Sequence, residues 1–436
     1  MGKQCSYSSP FDQWRCPEEA TTEDGLCTFH DPNPVKDIQT LNVRLRELLG
    51  VEKEEPLRFD GSIFPHGVSF NGVVFERSIS FREAQFHGQA TFFLGTQFRG
   101  SRTCFDQAQF RSQWTFFERA QFGGEVTSFD RAQFYGEATL RRAQFRSQRT
   151  SFVEAEFHGQ RTSFEGAQFH GQTIVRGDKP AQVFFGGATD FKETSVGKEG
   201  ELVFDWVDLS RTQFLHADLS RVKFLDVRWN HPHGEKGGQF RWGGWRSRVY
   251  DEALWREARR PPNNTLREDI EHLPHLGRLY RALKAYYRET GENRLVGHFQ
   301  YGLMEVQWYQ KEAEEAIKGG PWLKRKWKKW VSWEAAYRYS SGYGEDYAWA
   351  GLVLVGFLVL FAGCYWWLGV PKMWGDWWES GLRALLYSFQ AGTLSRVRFY
   401  DEPTVLAARY LQIAESILVP VQFGFLLFAL RNRFRR

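Results

Sequence analysis

Four side chains within the first thirty residues are able to coordinate one ion together. Cys5, Cys16, Cys27 and His30 stand in a C-x10-C-x10-C-x2-H pattern. The closing "CTFH" puts a thiolate and an imidazole on one turn, and two more thiolates complete the tetrahedral Cys3His donor set that structural zinc takes. The intervening segments are too short and polar to build a core, so a bound ion would supply most of their folding energy. Free thiols or a disulfide are the alternatives, and a reducing compartment disfavours the disulfide. Four filled ligand positions leave none open for catalysis.

A second group lies in an apolar stretch near the C-terminus. On a helical wheel Arg409, Gln412, Glu415, Ser416 and Gln422 fall within about 140° of one another. An acid inside a membrane faces water or a partner rather than lipid. The stripe could therefore line a pore, with Glu415 setting cation preference, or make helix–helix hydrogen bonds in a non-conducting bundle. No Walker loop, dinucleotide-binding glycine motif or GxSxG is present, and no nucleophile has the spacing of a catalytic set, so an enzyme is not expected.

The elements that carry these groups follow from the rest of the chain. With 436 residues there is room for two or three domains, and 39 Phe against 3 Met points to a Phe-based repeat. Phe pairs five apart recur from Phe59/Phe64 through Phe81/Phe86, Phe105/Phe110 and Phe129/Phe134 to Phe164/Phe169. The interval between pairs is 11 residues at first and mostly 12 afterwards, tightening to 10 from Phe204. A small residue stands two positions before the second Phe, as in "EAQF", "RAQF" and "GAQF". Neither a 3.6-residue spiral nor a two-residue strand alternation fits that spacing. A coil with flat sides of five residues does, each Phe pointing to the axis and each small residue letting a corner close.

Those units resemble pentapeptide-repeat proteins, and "ADLSR" at Ala217 matches their A(D/N)LxX unit outright. The resemblance implies a right-handed quadrilateral β-solenoid, with the extra residues of this variant bulging at one corner. The aromatics are then packing rather than a binding box. Between Glu76 and Arg176 there are 13 Arg against 10 acids, which argues against an acidic DNA-mimicking face. No nucleic-acid partner is expected, and the outward Arg, Gln, His and Ser either bind a cytosolic protein or are simply solvated.

Tyr347 to Val370 is 24 residues without a charge, and Leu411 to Leu430 is 20 residues with one acid. Both are long enough to span a bilayer. Lys324, Arg325, Lys326, Lys328 and Lys329 precede the first span, where "PWLKRKWKKWVSW" would lie along anionic headgroups as an amphipathic helix. Arg431, Arg433, Arg435 and Arg436 follow the second, and the loop between has five basic against four acidic residues. The positive-inside rule then puts both termini in the cytoplasm of a bacterial-type inner membrane. The first 26 residues lack the apolar core of a signal peptide.

"LYRALKAYYRETGEN", "HFQYGLMEVQ", "SSGYGEDYAW" and "FALRNRFRR" resemble the C-terminal half of membrane-anchored pentapeptide-repeat proteins. That half is similar to the two-helix pore module of potassium-channel type, which implies a homo-oligomer, a tetramer by analogy. "ALLYSF" would be the pore helix of a re-entrant loop, with Gln390, Gly392 and Thr393 in the filter position. Potassium selectivity needs paired glycines for carbonyl rings. "QAGTLSR" has only Gly392, and Arg396 follows.

The expected organisation is a zinc segment at 1–35, a helical linker at 36–57 and the solenoid at 58–231. A linker at 232–275, a helical hairpin with its juxtamembrane helix at 276–333, and a two-span channel-like domain at 334–436 complete it. The functional expectation is an oligomeric channel-like membrane protein gated by its solenoid. The alternatives are a membrane-tethered interaction scaffold without conductance, or a membrane-depolarising effector.

Overall fold

The computed structural model describes residues 3–33, 38–50, 55–178, 185–231, 246–258, 266–317, 332–370, 377–392 and 406–434. The chain divides into two compact units. The first comprises Met1–His231 with Arg248–Asn264, the second Pro232–Ser247 with Thr265–Arg436.

The first unit is a β-solenoid of about seven turns, preceded by the Cys/His segment and helix α1 (Ile38–Gly50). Its short strands stack in parallel into four sheets, one for each face of the coil. Face 1 has eight strands, from Leu57–Arg58 to Val222–Leu225, and face 2 has five, from Ile63–Phe64 to Glu156–Phe157. Face 3 has six, from Ala90–Phe92 to Thr212–Gln213, and face 4 has six, from Val74–Phe75 to Ser195–Val196. Successive coils advance by two Phe pairs. Leu57 sits opposite Ile79, Arg102 opposite Val126, and Leu202 opposite Val222.

Each five-residue side ends in a tight turn for a clear reason. The Ala84 amide donates to the Phe81 carbonyl, and Glu83 between them adopts φ 55°. Gln107, Arg131 and Glu154 repeat this conformation one coil later each time. The small residue follows at once and is fully buried, as at Ala84, Ala108 and Ala132. The extra residues of the 11- and 12-residue intervals follow the second Phe of every pair, so they occupy two corners of each coil rather than one. Glycine is required where those corners touch. A Cβ at Gly124 or Gly171 would overlap the carbonyl oxygen of the coil before it.

The interior is a set of aromatic columns. Phe86, Phe110, Phe134 and Phe157 stack at 4.8, 4.5 and 4.5 Å with planes within 5° of parallel. Neighbouring columns meet edge to face, as in Phe105 against Phe117 at 5.6 Å and 86°. Both arrangements are favoured by the ring quadrupole. The far end of this unit carries helix α2 (Tyr250–Ala258), within the stretch expected to be linker.

The second unit is helical. Helices α3 (Leu266–Glu289) and α4 (Asn293–Ile317) form the expected hairpin, turning at Gly291 with φ 82°. Leu276, Leu279, Leu283 and Tyr287 of α3 are buried, as are Phe299, Leu303 and Val306 of α4. The first helix starts ten residues before the expected boundary at 276 and continues through Pro274.

Helix α5 (Trp333–Ser341) follows, capped by the Ser332 side chain on the Ala335 amide. Gly342, Tyr343 and Gly344 then turn the chain with φ values of 53°, 57° and 73°, which explains the "SSGYGEDYAW" segment. Helices α6 (Tyr347–Trp367), α7 (Trp377–Gly392) and α8 (Leu406–Phe434) complete the unit. α6 and α8 are long and apolar enough to cross a membrane. The basic cluster Lys324, Arg325, Lys326, Lys328 and Lys329, most of the expected juxtamembrane helix, and Thr393 lie outside the described residues.

Candidate metal centre and buried polar cluster

Cys5, Cys16, Cys27 and His30 converge as the spacing predicts. All four are buried, and their ligand atoms lie within 4.8 Å of one another. Tetrahedral zinc, with Zn–S of about 2.3 Å and Zn–N of about 2.0 Å, requires S···S edges of roughly 3.8 Å and S···N edges of roughly 3.5 Å. The Cys16–Cys27 edge is 3.8 Å and the Cys5–His30 edge 3.6 Å, while Cys27–His30 is tighter at 3.1 Å. The donor set fits a metal ion.

The surroundings orient the donors. His30 Nε2 lies 2.8 Å from the Asp60 carbonyl oxygen, which can only accept, so Nε2 carries the proton and Nδ1 turns its lone pair to the sulfurs. The Tyr7 ring stacks on the imidazole at 3.9 Å, and the Cys27 amide donates to Cys5 Sγ at 3.3 Å. A hydrogen bond with Cys16, reinforced by His30, holds the Cys27 thiol below its ordinary value, and Cys16 moves up in turn. One sulfur is therefore disposed to ionise first. Sequence spacing identifies the ligands but not Asp60 or Tyr7, whose contributions are a main-chain carbonyl and a ring face.

The second group sits among α6, α7 and α8. Glu415 is fully buried and accepts a hydrogen bond from Ser388, whose hydroxyl also lies 3.0 Å from the Leu358 carbonyl. Tyr365 and Tyr387 cross beside it at 4.7 Å and 81°. Gln422 is buried too, and its amide donates to the Ser340 and Ala350 carbonyls at 3.0 and 2.9 Å. Gln412 and Ser416 are half-buried, and the Ser416 hydroxyl donates to Ile413 in its own helix. Gln390 stands half-buried in the last turns of α7, where Gly392 packs against Val419.

In a single chain, then, Glu415 and Gln422 are engaged in contacts between helices, the second of the two roles open to the stripe. Ser388 is the residue the sequence does not reveal. It lies inside "ALLYSF", which reads as an aromatic helix whatever its serine touches.

The same unit holds a buried ion pair. Glu305 of α4 meets Arg338 of α5 at 2.7 Å and accepts from the Tyr343 hydroxyl, while the Arg338 guanidinium lies 5.2 Å from the Trp308 ring. This contact joins the helical hairpin to the start of the apolar helices.

The first unit is a solenoid of stacked parallel coils, with axial Phe residues in pairs five apart. Residues 129–177 match the family described as pentapeptide repeats (9 copies). No curated protein and no solved structure matches the chain. The potassium-channel-type pore therefore rests on the sequence resemblance alone.

Proposed function

We propose that the protein is a membrane-tethered pentapeptide-repeat scaffold. Helices α6 and α8 anchor it in a bilayer, and the outward faces of the solenoid bind a protein partner on the cytoplasmic side. Zinc is the cofactor, held for structure by the thiolates of Cys5, Cys16 and Cys27 and by His30 Nδ1. No catalytic role is assigned.

The observation that carries this reading is the exposed apolar surface of the two long helices. Leu352, Val355, Val359 and Leu360 on α6 are at least half exposed, and Ile413, Ile417 and Leu427 on α8 are as well. Only 17% and 22% of their apolar windows are buried. The core helix of a soluble domain would hide these side chains, whereas hydrocarbon accepts them. The basic residues outside both spans favour cytoplasmic termini.

The alternative, an oligomeric conducting pore gated by the solenoid, is separated from the scaffold by one preparation. Purified full-length protein in planar bilayers should be electrically silent. Single-channel currents altered by Glu415→Gln would replace the scaffold with the pore.

A further inference from the structure

We propose that the metal-bound Cys/His knot acts as a substitute coil at the start of the solenoid, and that the ion holds this end closed. The inference rests on the metal reading above and adds what the ion is for.

The hydrogen bonds define what the first coil lacks. On face 1, the carbonyl that follows the axial Phe accepts an amide from the coil before it. Glu83 donates to Asp106, Gln107 to Asp130, and Arg131 to Val153, at 2.8 to 2.9 Å. Gly61 donates to Arg82 in the same way at 2.7 Å. Asp60 occupies this position in the first coil, as its register opposite Arg82 shows. Among the described residues no earlier coil donates here, and His30 Nε2 fills the place at 2.8 Å.

Face 2 runs in the opposite sense. There Gln85 donates back to Ser62, Gln109 to Ala84, and Gln133 to Ala108. Ile63 holds this position in the first coil, and its amide donates to the Phe29 carbonyl at 2.7 Å. The Phe29 ring also caps the column, meeting Phe59 at 5.5 Å. One segment, Phe29–His30, thus supplies an acceptor, a donor and a ring in place of a missing coil.

Arg58 adds a bond to Asp12 at 2.8 Å and stacks on Trp14 at 4.6 Å. Both partners belong to the segment between the first two cysteines. The knot has too few apolar residues to hold this geometry by packing, so the tie is the ion, which fixes the His30 ring and the Cys27 turn together. An uncapped end exposes unpaired strand edges, a template for pairing with another chain.

The test uses full-length protein in detergent, with metal analysis, Co(II) substitution and hydrogen exchange. One zinc per chain should bind, and Co(II) should give the absorption of a tetrahedral thiolate site. Removing the ion with a chelator should speed exchange of the Ile63 amide, which loses its Phe29 acceptor, by about tenfold or more, while the Gln133 and Arg131 amides keep their protection. His30→Cys separates the two claims, since four sulfurs still bind zinc but cannot donate to Asp60. That variant should keep one ion per chain and keep the Ile63 amide protected, because the ion still holds the Phe29 carbonyl in place. If chelation of the zinc-loaded protein leaves the Ile63 amide fully protected, or if His30→Cys exposes it while the ion binds, the cap held by the ion is wrong and the metal site stands. If no metal binds, the metal reading fails and takes the cap with it.

Discussion

The carboxylate of Asp251 accepts the backbone amides of Phe214 and Leu215, each at 3.0 Å. In earlier coils the amide equivalent to Phe214 donates forward to the next coil, as Phe93 does to Phe116 and Phe191 to Gln213. Phe214 lies in the last coil of face 3, and α2 delivers a side chain where the next carbonyl would be. The solenoid is thus closed at its far end by a carboxylate, as it is closed at its near end by Phe29 and His30.

Burial raises the Asp251 carboxyl from its ordinary value to about 6, against the lowering effect of the amides it accepts. A raised carboxyl binds its proton more tightly in the folded state than in the unfolded one. Stability should therefore fall as pH rises from about 4 to about 6 and level off above, by up to roughly 3 kcal/mol for this group alone. Asp251→Asn should flatten that slope in urea unfolding measured across this range. A variant with the slope of the wild type would assign it to other groups.

Arg338→Ala should destabilise the helical unit by about 3–5 kcal/mol, because it leaves the Glu305 carboxylate buried without its partner. The Glu305→Gln/Arg338→Met double variant should recover most of that loss in thermal unfolding. Equal losses in single and double variants would show that the pair contributes nothing as a pair.

Removing the Ser388 hydroxyl with Ser388→Ala should cost about 1–3 kcal/mol, since the buried Glu415 loses its donor. Glu415→Gln retains a group able to bond Ser388 and should cost less than Glu415→Leu. Denaturant titration in detergent, followed by tryptophan fluorescence, would check the order. The reverse order would remove Glu415 from the contact between α7 and α8.

Phe117→Ala should cost about 3–5 kcal/mol, the range for truncating a buried aromatic. The ring stacks on Phe93 at 4.6 Å and meets Phe105 and Phe129 edge-on. Because coils contact chiefly their neighbours, amides around Phe93 and Phe129 should lose protection first, and those of the end coils last. Uniform loss along the solenoid would show a single cooperative unit instead.

The solenoid was legible because one residue type repeats at a spacing that neither helix nor strand can use, and the Phe pairs from Phe59/Phe64 to Phe164/Phe169 mark axial positions. The four metal donors were legible by type. Their setting was not, since Asp60 and Phe29 act through main-chain carbonyls that any residue carries. The start of α3 escaped notice because Pro274 reads as a boundary, whereas the helix continues through it. Glu415 and Gln422 stand out in the sequence as polar groups on an apolar helix. Periodicity, however, cannot say whether such a face meets water, another subunit or, as here, the Ser388 hydroxyl and the Ser340 and Ala350 carbonyls.

Membrane anchoring through α6 and α8 is the central claim, and alkaline carbonate extraction of the full-length protein from isolated membranes tests it most directly. The account predicts that the protein stays in the membrane pellet after the wash, with its exposed Leu352, Val355 and Ile417 surface in hydrocarbon. Release of the full-length chain into the carbonate supernatant would contradict it.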